Sequence, residues 1–233
     1  MNKTKKKFAD PTSFLMSLFS LHLFKKQTNI MKVLKILGAI IGILLLAYLV
    51  LYMAGPDKVH VERSLTIDAS AEELYNELNK FDTYNEWSSW YEKDPNADYS
   101  IEGPTSGVGA KFSWVSEKPD VGSGSMTIDS VDQNSMILYR MQFGFPGEQY
   151  ARFIFEEEGD GTLVTWTYEE EPVSFVKAMY VFMDMEEMLG ADYEKGLSNL
   201  KAYMESKPTP EPKMSEEMME SDSTAMDSTV MEE

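Results

Sequence analysis

The middle of the chain alternates between apolar and polar residues with a period of two. In residues 58–68, Val59, Val61 and Ile67 share one face and polar residues occupy the other. Side chains of a β-strand point alternately to opposite faces, so this pattern predicts a half-buried strand. Six further strands are predicted between short turns rich in Gly, Pro, Asp and Asn: Asp98–Glu102, Ala110–Glu117, Gly122–Asp132, Met136–Phe143, Gln149–Glu158 and Thr162–Glu171.

Helical patterns flank this series of strands. Ser70 is predicted to cap a helix that reaches Phe81, and a second short helix ends before Pro95. From Ser174, a second predicted cap, to Ser206 apolar residues recur with a period of 3.6, interrupted only by Glu186, which predicts one long amphipathic helix. The sheet is the one apolar surface that this helix can cover, so the order of elements predicts an α+β fold.

Several motifs in this order resemble a known family. They are VERSLTIDASAEELYNEL, the pair Trp87 and Trp90, EGPTSGVGAKFSW, VGSGSMTIDSV and GTLVTW. Together, over residues 58–204, they resemble the polyketide cyclase/dehydrase-like branch of the START-related SRPBCC superfamily. The resemblance implies a helix-grip (START/Bet v 1-like) fold, in which a curved antiparallel sheet of six to seven strands wraps around a long C-terminal helix. We expect residues 58–206 to form this domain.

Residues 33–53 are apolar except for Lys35, and 21 residues of helix span roughly 30 Å, the thickness of a bilayer core. They are predicted to form a transmembrane helix, a feature that the resembling family often has. Lys25, Lys26 and Lys32 precede it, so the positive-inside rule predicts a cytoplasmic N-terminus and a domain on the outer, periplasmic or extracytoplasmic side. Residues 54–57 are then a linker.

A cleaved signal peptide that starts at Met31 is the competing interpretation. The apolar run is longer than a signal peptide needs, and Leu51 and Met53 are too bulky for a cleavage site, so a retained anchor is favoured. Residues 1–32 then form a basic cytoplasmic segment, unless Met31 is the true start of translation.

Charge is unevenly distributed along the chain. The net charge is −18, while residues 54–206 alone carry −19, so we expect no nucleic-acid partner. Residues 207–233 are acidic, rich in Met and poor in aromatic residues, which predicts a disordered tail. Thioether ligation of Cu(I) by these methionines is a conceivable alternative, but their irregular spacing favours a solvated tail.

Gly103, Gly107 and Gly109 raise the question of a phosphate-binding loop. Such a loop opens a helix, whereas Phe112 and Trp114 alternate with polar residues and predict a strand. The glycines are therefore predicted to provide positive φ angles in a turn.

Other kinds of site are limited by composition. The chain has no cysteine, which excludes disulfides and thiolate catalysis. It has only two histidines, which argues against a metal centre and leaves His60 as the one partner for a serine relay. Acidic clusters at residues 156–158 and 169–171 favour a solvated rim over a calcium site. We expect no cofactor and no metal.

Inward positions of the strands and the helix are predicted to line an apolar space. Ordinary core packing is the alternative for each residue alone, but the resemblance implies that this space holds a hydrophobic small molecule or lipid. The predicted ligand-binding residues are Trp87, Trp90, Phe112, Trp114, Met126, Tyr139, Met141, Phe143, Phe153, Trp166, Met179 and Phe182. Arg63 and Glu170 form a second hypothesis, an ion pair that orients a polar group of the ligand.

Three functions follow from these patterns. The first is a membrane-anchored module that binds a lipid or other hydrophobic molecule without catalysis. The second is a cyclase, dehydrase or hydrolase, as the family name suggests, with Arg63, Tyr139 and Glu170 as candidate residues. The third is an envelope protein that acts through its acidic surface or tail. The oligomeric state is left open.

Overall fold

The computed structural model describes residues 11–144 and 146–207. The tail predicted for residues 207–233 therefore lies outside the described residues, apart from Lys207. The first ten residues of the basic N-terminal segment also lie outside them.

The first helix, α1, covers Pro11–Ala54. Within it, Met31–Ala54 is long and apolar enough to cross a membrane, and it is the one such segment among the described residues. The helix begins well before the predicted residue 33 because no Gly or Pro interrupts residues 12–37.

Seven strands form one antiparallel sheet in the order β1-β7-β6-β5-β4-β3-β2. Each predicted strand is present, with ends within two residues of the prediction. The bounds are β1 Val59–Ile67, β2 Asp98–Glu102, β3 Lys111–Val115, β4 Ser123–Asp132, β5 Met136–Gln142, β6 Gln149–Glu158 and β7 Gly161–Glu170.

Two short helices follow β1, as predicted. Helix α2, Ala71–Leu78, begins with a capping box: Ser70 Oγ accepts from the Glu73 amide at 3.2 Å, and Glu73 Oε2 accepts from the Ser70 amide at 2.8 Å. Helix α3 covers Ser89–Lys93. Gly103, Gly107 and Gly109 all have positive φ, which confirms a turn rather than a phosphate-binding loop.

The single long helix predicted from Ser174 is wrong. The structure has a short helix α4, Ser174–Met179, a 3-10 turn at Tyr180–Phe182, and then helix α5, Met185–Glu205. Met183 is extended, with φ −123° and ψ 123°. The apolar period remains in phase across this break, so periodicity alone did not detect it. Ser174 is not a cap, since its φ is +53° and Val173 precedes the helix.

The chain divides into two compact units. The described part of the first comprises residues 11–59, 146–147 and 171–185, and that of the second comprises residues 60–144, 148–170 and 186–207. In the second unit the ring of Tyr193, on α5, stacks on Trp166 of β7 with centroids 4.0 Å apart. Lys201 also donates to the Thr66 carbonyl at 2.9 Å, so α5 lies across the sheet as a helix-grip fold requires.

Candidate ligand-binding cavity

An apolar cavity of about 120 Å³ lies in the second unit, between the sheet, α5 and the segment that joins α2 to β2. An enclosed apolar space of about 150 Å³ can hold a benzene molecule, so the cavity has the size of a single aromatic ring. Larger ligands require its walls to move apart.

Strand register brings the wall residues together. Met126 on β4 lies opposite Phe112 on β3 and opposite Met141 on β5. Ala151 on β6 lies opposite Tyr139 on β5 and opposite Tyr168 on β7. Because residues two apart on a strand share a face, these cross-strand pairs present one continuous apolar surface toward α5.

Trp166 is at the centre of the aromatic wall. It stacks between Tyr193 and Phe153, with centroid distances of 4.0 and 4.6 Å. Trp87 and Trp90 contact it edge-on at 5.9 and 5.8 Å. Each such aromatic pair contributes roughly 0.5–1.5 kcal/mol beyond the burial of its area, so the wall is stiff on this side.

One polar atom in this wall lacks a partner. The indole Nε1 of Trp166 is buried and has no hydrogen-bond partner within the described part of the chain. Leaving a buried donor unpaired costs about 1–3 kcal/mol. A hydrogen-bond acceptor placed within reach of this nitrogen would recover this energy.

The cavity contains little that could transfer a proton near neutral pH. Burial raises the pKa of the Tyr84 phenol to about 12, and it also raises the pKa values of Tyr139 and Tyr193 well above their usual range. These phenols therefore stay neutral. Among the described residues that line the cavity, Lys80 is the one charged side chain, and it lies 3.4 Å from the carboxylate of Asp82.

Ten of the twelve residues predicted to bind ligand line this one cavity. They are Trp87, Trp90, Phe112, Trp114, Met126, Tyr139, Met141, Phe143, Phe153 and Trp166. That they contact a ligand remains a prediction.

Met179 and Phe182 do not line the cavity, which corrects their assignment. Met179 ends α4 and is 41% exposed, and Phe182 lies in the 3-10 turn and is 74% exposed. Their assignment assumed one continuous helix, and the break at Met183 removes the shared face on which it depended.

Arg63 and Glu170 have different partners in the structure. Arg63 donates from Nε to Glu194 and from Nη1 to Glu186, both at 2.6 Å, and these carboxylates raise its pKa. This contact explains why a charged residue interrupts the apolar pattern of the C-terminal helix. The pair joins β1 to α5, which is a structural role.

Glu170 is buried at 3% exposure and belongs to a different network. Its carboxylate accepts hydrogen bonds from Gln149 Nε2 at 3.2 Å and from the Tyr168 hydroxyl at 3.0 Å. Tyr168 lines the cavity, so this carboxylate is connected to the cavity wall through one phenol.

Several wall residues were not predicted from the sequence. Ala151 and Tyr168 share strand parity with Phe153 and Trp166, so the alternating pattern could have revealed them. Phe81 and Tyr84 lie between α2 and α3, where no period exists to indicate which side chains turn inward. The remaining unpredicted lining residues are Leu78, Lys80, Ser88, Tyr99, Val121 and Tyr193.

His60 does not contribute to the cavity. Its imidazole is about half exposed, lies 3.5 Å from Glu62 and 3.8 Å from Glu169, and is not among the lining residues. A serine relay built on this histidine therefore has no support in the geometry.

Comparison with known proteins assigns the family. Residues 58–205 match the family described as polyketide cyclase / dehydrase and lipid transport, so the chain belongs to this family. The match spans the whole sheet and α5, and it ends close to the predicted domain boundary. No protein with a curated description matches the sequence.

Solved structures share the fold at low sequence identity. The di-domain ARO/CYC protein BexL from the BE-7585A biosynthetic pathway is 15% identical with a TM-score of 0.50, and the match covers 68% of this chain and 54% of BexL. The KanY protein is 15% identical with a TM-score of 0.50 and coverages of 64% and 99%. A START superfamily protein from Mycobacterium smegmatis is 20% identical, with a TM-score of 0.47 and coverages of 63% and 97%.

Proposed function

We propose that the protein is anchored in a membrane by α1 and that its helix-grip domain binds a compact hydrophobic molecule without catalysing a reaction. The observation that carries the proposal is the aromatic cavity of about 120 Å³ with the unpaired Trp166 Nε1 in its wall. The family description, which includes lipid transport, agrees with an apolar ligand.

The chemistry of the ligand follows from the walls. An aromatic lining favours an apolar ring or a short branched chain, and the buried indole favours a single hydrogen-bond acceptor. Known ligand pockets are usually about 300–1,000 Å³, so a complete lipid would require the cavity to open, whereas one ring or the end of an acyl chain fits its present size.

Membrane anchoring rests on the length and apolar character of Met31–Ala54, and Tyr48 and Tyr52 stand where an interfacial aromatic belt is expected. With the N-terminal lysines in the cytoplasm, the domain lies on the outer side. We expect the full chain to float with vesicles and to stay bound to them after a wash with alkaline carbonate. A protein released by carbonate would contradict the anchor.

Ligand binding can be tested with two probes of nearly the same shape. Acetophenone has a carbonyl acceptor, and α-methylstyrene has a methylene group in its place. The full chain in lipid nanodiscs is expected to bind both and to prefer acetophenone, with the preference reduced about tenfold in Trp166→Phe, because the hydrogen bond is lost. Calorimetry measures both affinities. If neither probe binds although the fold is intact, the proposal is refuted.

One observation favours a catalytic alternative. The Tyr168 hydroxyl donates to the buried Glu170 carboxylate, and this arrangement could move a proton at the edge of the cavity. Turnover of an aromatic polyketide-like substrate that Tyr168→Phe abolishes, with ligand affinity unchanged, would establish it. Binding without turnover in the native chain supports the first proposal instead.

A further inference from the structure

The segment that contains α4 and the following 3-10 turn exposes large apolar side chains. Phe182 is 74% exposed, Phe175 is 54% exposed and Met179 is 41% exposed. Their spacing of four and then three residues places them on one side of a helical path. A group of exposed aromatic and thioether side chains is uncommon on a protein surface that faces only water.

This segment is held against the C-terminal end of α1, within the same unit. Lys177 pairs with Asp57, and its Nζ lies 5.1 Å from the centre of the Tyr52 ring. At Gly55 an added β-carbon would collide with the Lys177 carbonyl oxygen, so the two backbones touch there. The end of α1 and the residues that follow it therefore contact α4.

The length of the apolar part of α1, Met31–Ala54, determines the depth at which this contact occurs. The 24 residues of Met31–Ala54 span about 36 Å, which exceeds a hydrocarbon core of about 30 Å by roughly one helical turn shared between the two ends. Tyr52 consequently lies at the edge of the hydrocarbon core, and the residues after it lie at the level of the headgroups, when α1 spans a bilayer. Lys177 contacts Tyr52, so α4 lies at the same level.

We propose that Phe175, Met179 and Phe182 are seated in the boundary between the headgroups and acyl chains, beside the C-terminal end of α1. This inference rests on the proposed anchoring by α1. The occupant of the apolar surface is the bilayer, because the surface is continuous with the apolar helix that enters it. Lys177 is only 13% exposed, so it holds α4 against the end of α1, while Phe175, Met179 and Phe182 remain uncovered.

Single cysteine variants can measure the depth of each position, because the chain contains no cysteine to compete for the label. The variants Phe175→Cys, Met179→Cys and Phe182→Cys carry the fluorophore NBD in the full chain, reconstituted in phosphatidylcholine vesicles. Leu44→Cys, within α1, reports insertion of the anchor, and Ser198→Cys, an exposed position on α5, is the water-facing control. Phosphatidylcholine with a nitroxide near the headgroup or near the acyl terminus serves as the quencher.

The expected result is at least about a twofold loss of NBD emission at positions 175, 179 and 182 with the shallow quencher, and little loss with the deep one. Position 44 is quenched best by the deep probe, and position 198 by neither. If NBD at position 44 is quenched but NBD at positions 175, 179 and 182 is quenched no more than at position 198, the inference is overturned and the anchor remains supported. Blue-shifted but unquenched emission at these positions means that protein covers them, which also overturns it. Absence of quenching at 44 refutes the anchor and the inference with it.

Discussion

Replacing Ala151 with leucine is expected to fill the cavity and to abolish ligand binding while the fold persists. Ala151 lies on β6, is 4% exposed, and faces the cavity between Tyr139 and Tyr168. A longer side chain at this position enters the space that we propose for the ligand.

The magnitude follows from the volume. At about 24 cal/mol per Å³, an empty space of 120 Å³ costs on the order of 3 kcal/mol relative to a filled one. Leucine adds three carbons, which at about 0.8 kcal/mol each recover roughly 2.4 kcal/mol. Crowding of Tyr139 and Tyr168 opposes this gain by about 1–3 kcal/mol, so the net change in the free energy of unfolding is small.

The ligand response separates the two proteins. At ten times its Kd, acetophenone should stabilise the native chain by about 1.4 kcal/mol, or roughly 5 °C in Tm for a domain of this size. Ala151→Leu should show no such shift. Thermal unfolding in nanodiscs, followed by tryptophan fluorescence, measures both.

Ala202→Leu is the matched control, since it adds the same carbons at an exposed position of α5 and should retain the full shift. A folded Ala151→Leu protein that keeps the native ligand shift would refute the reasoning, because the ligand would then bind elsewhere.

Three further predictions concern contacts that shape the domain. Gly196→Ala places a β-carbon 2.8 Å from the Trp166 ring, so we expect a loss of about 1–3 kcal/mol in urea unfolding and weaker acetophenone binding; an unchanged midpoint would contradict this. Burial raises the pKa of Glu77, but hydrogen bonds from Lys207 and Thr83 outweigh it and leave the pKa below 4.5. The stability that Glu77 contributes is therefore complete above about pH 4.5 and is lost as the pH falls through the lowered pKa. Glu77→Gln should lower the free energy of unfolding by about 1–2 kcal/mol at pH 7 and should flatten its decline at acid pH. A variant whose stability falls with pH in parallel with that of the native chain would refute this. Ser70→Ala removes the cap of α2 and should cost about 1 kcal/mol by chemical denaturation, whereas Ser198→Ala should cost almost nothing.

Much of the fold was predictable because it depends on local patterns. Alternation located every strand, since a half-buried sheet leaves a period of two in the sequence. The capping box at Ser70 and Glu73 located the start of α2, because its hydrogen bonds join residues three apart. Strand parity similarly identified most of the cavity residues that lie on the strands, including Phe112, Tyr139 and Trp166.

The failures occurred where the decisive contact is distant in sequence. The predicted pairing of Arg63 with Glu170 assumed that charged side chains on neighbouring strands pair with each other. In the structure, Arg63 instead contacts Glu186 and Glu194 on α5. The break at Met183 was equally hidden, because the apolar period continues through it. Phe182 was consequently predicted to face the ligand space, whereas it is exposed.

The sequence by itself determined the order of the elements, the alternation that makes one face of the sheet apolar, and the apolar length of α1. These are properties of neighbouring residues, so they follow from backbone geometry and hydrophobic burial alone. Only the tertiary structure decided that a cavity of about 120 Å³ persists beneath α5 and that Trp166 Nε1 is left without a partner. Both depend on how side chains from β3 to β7 and α5 meet, and no local pattern records the space left between them.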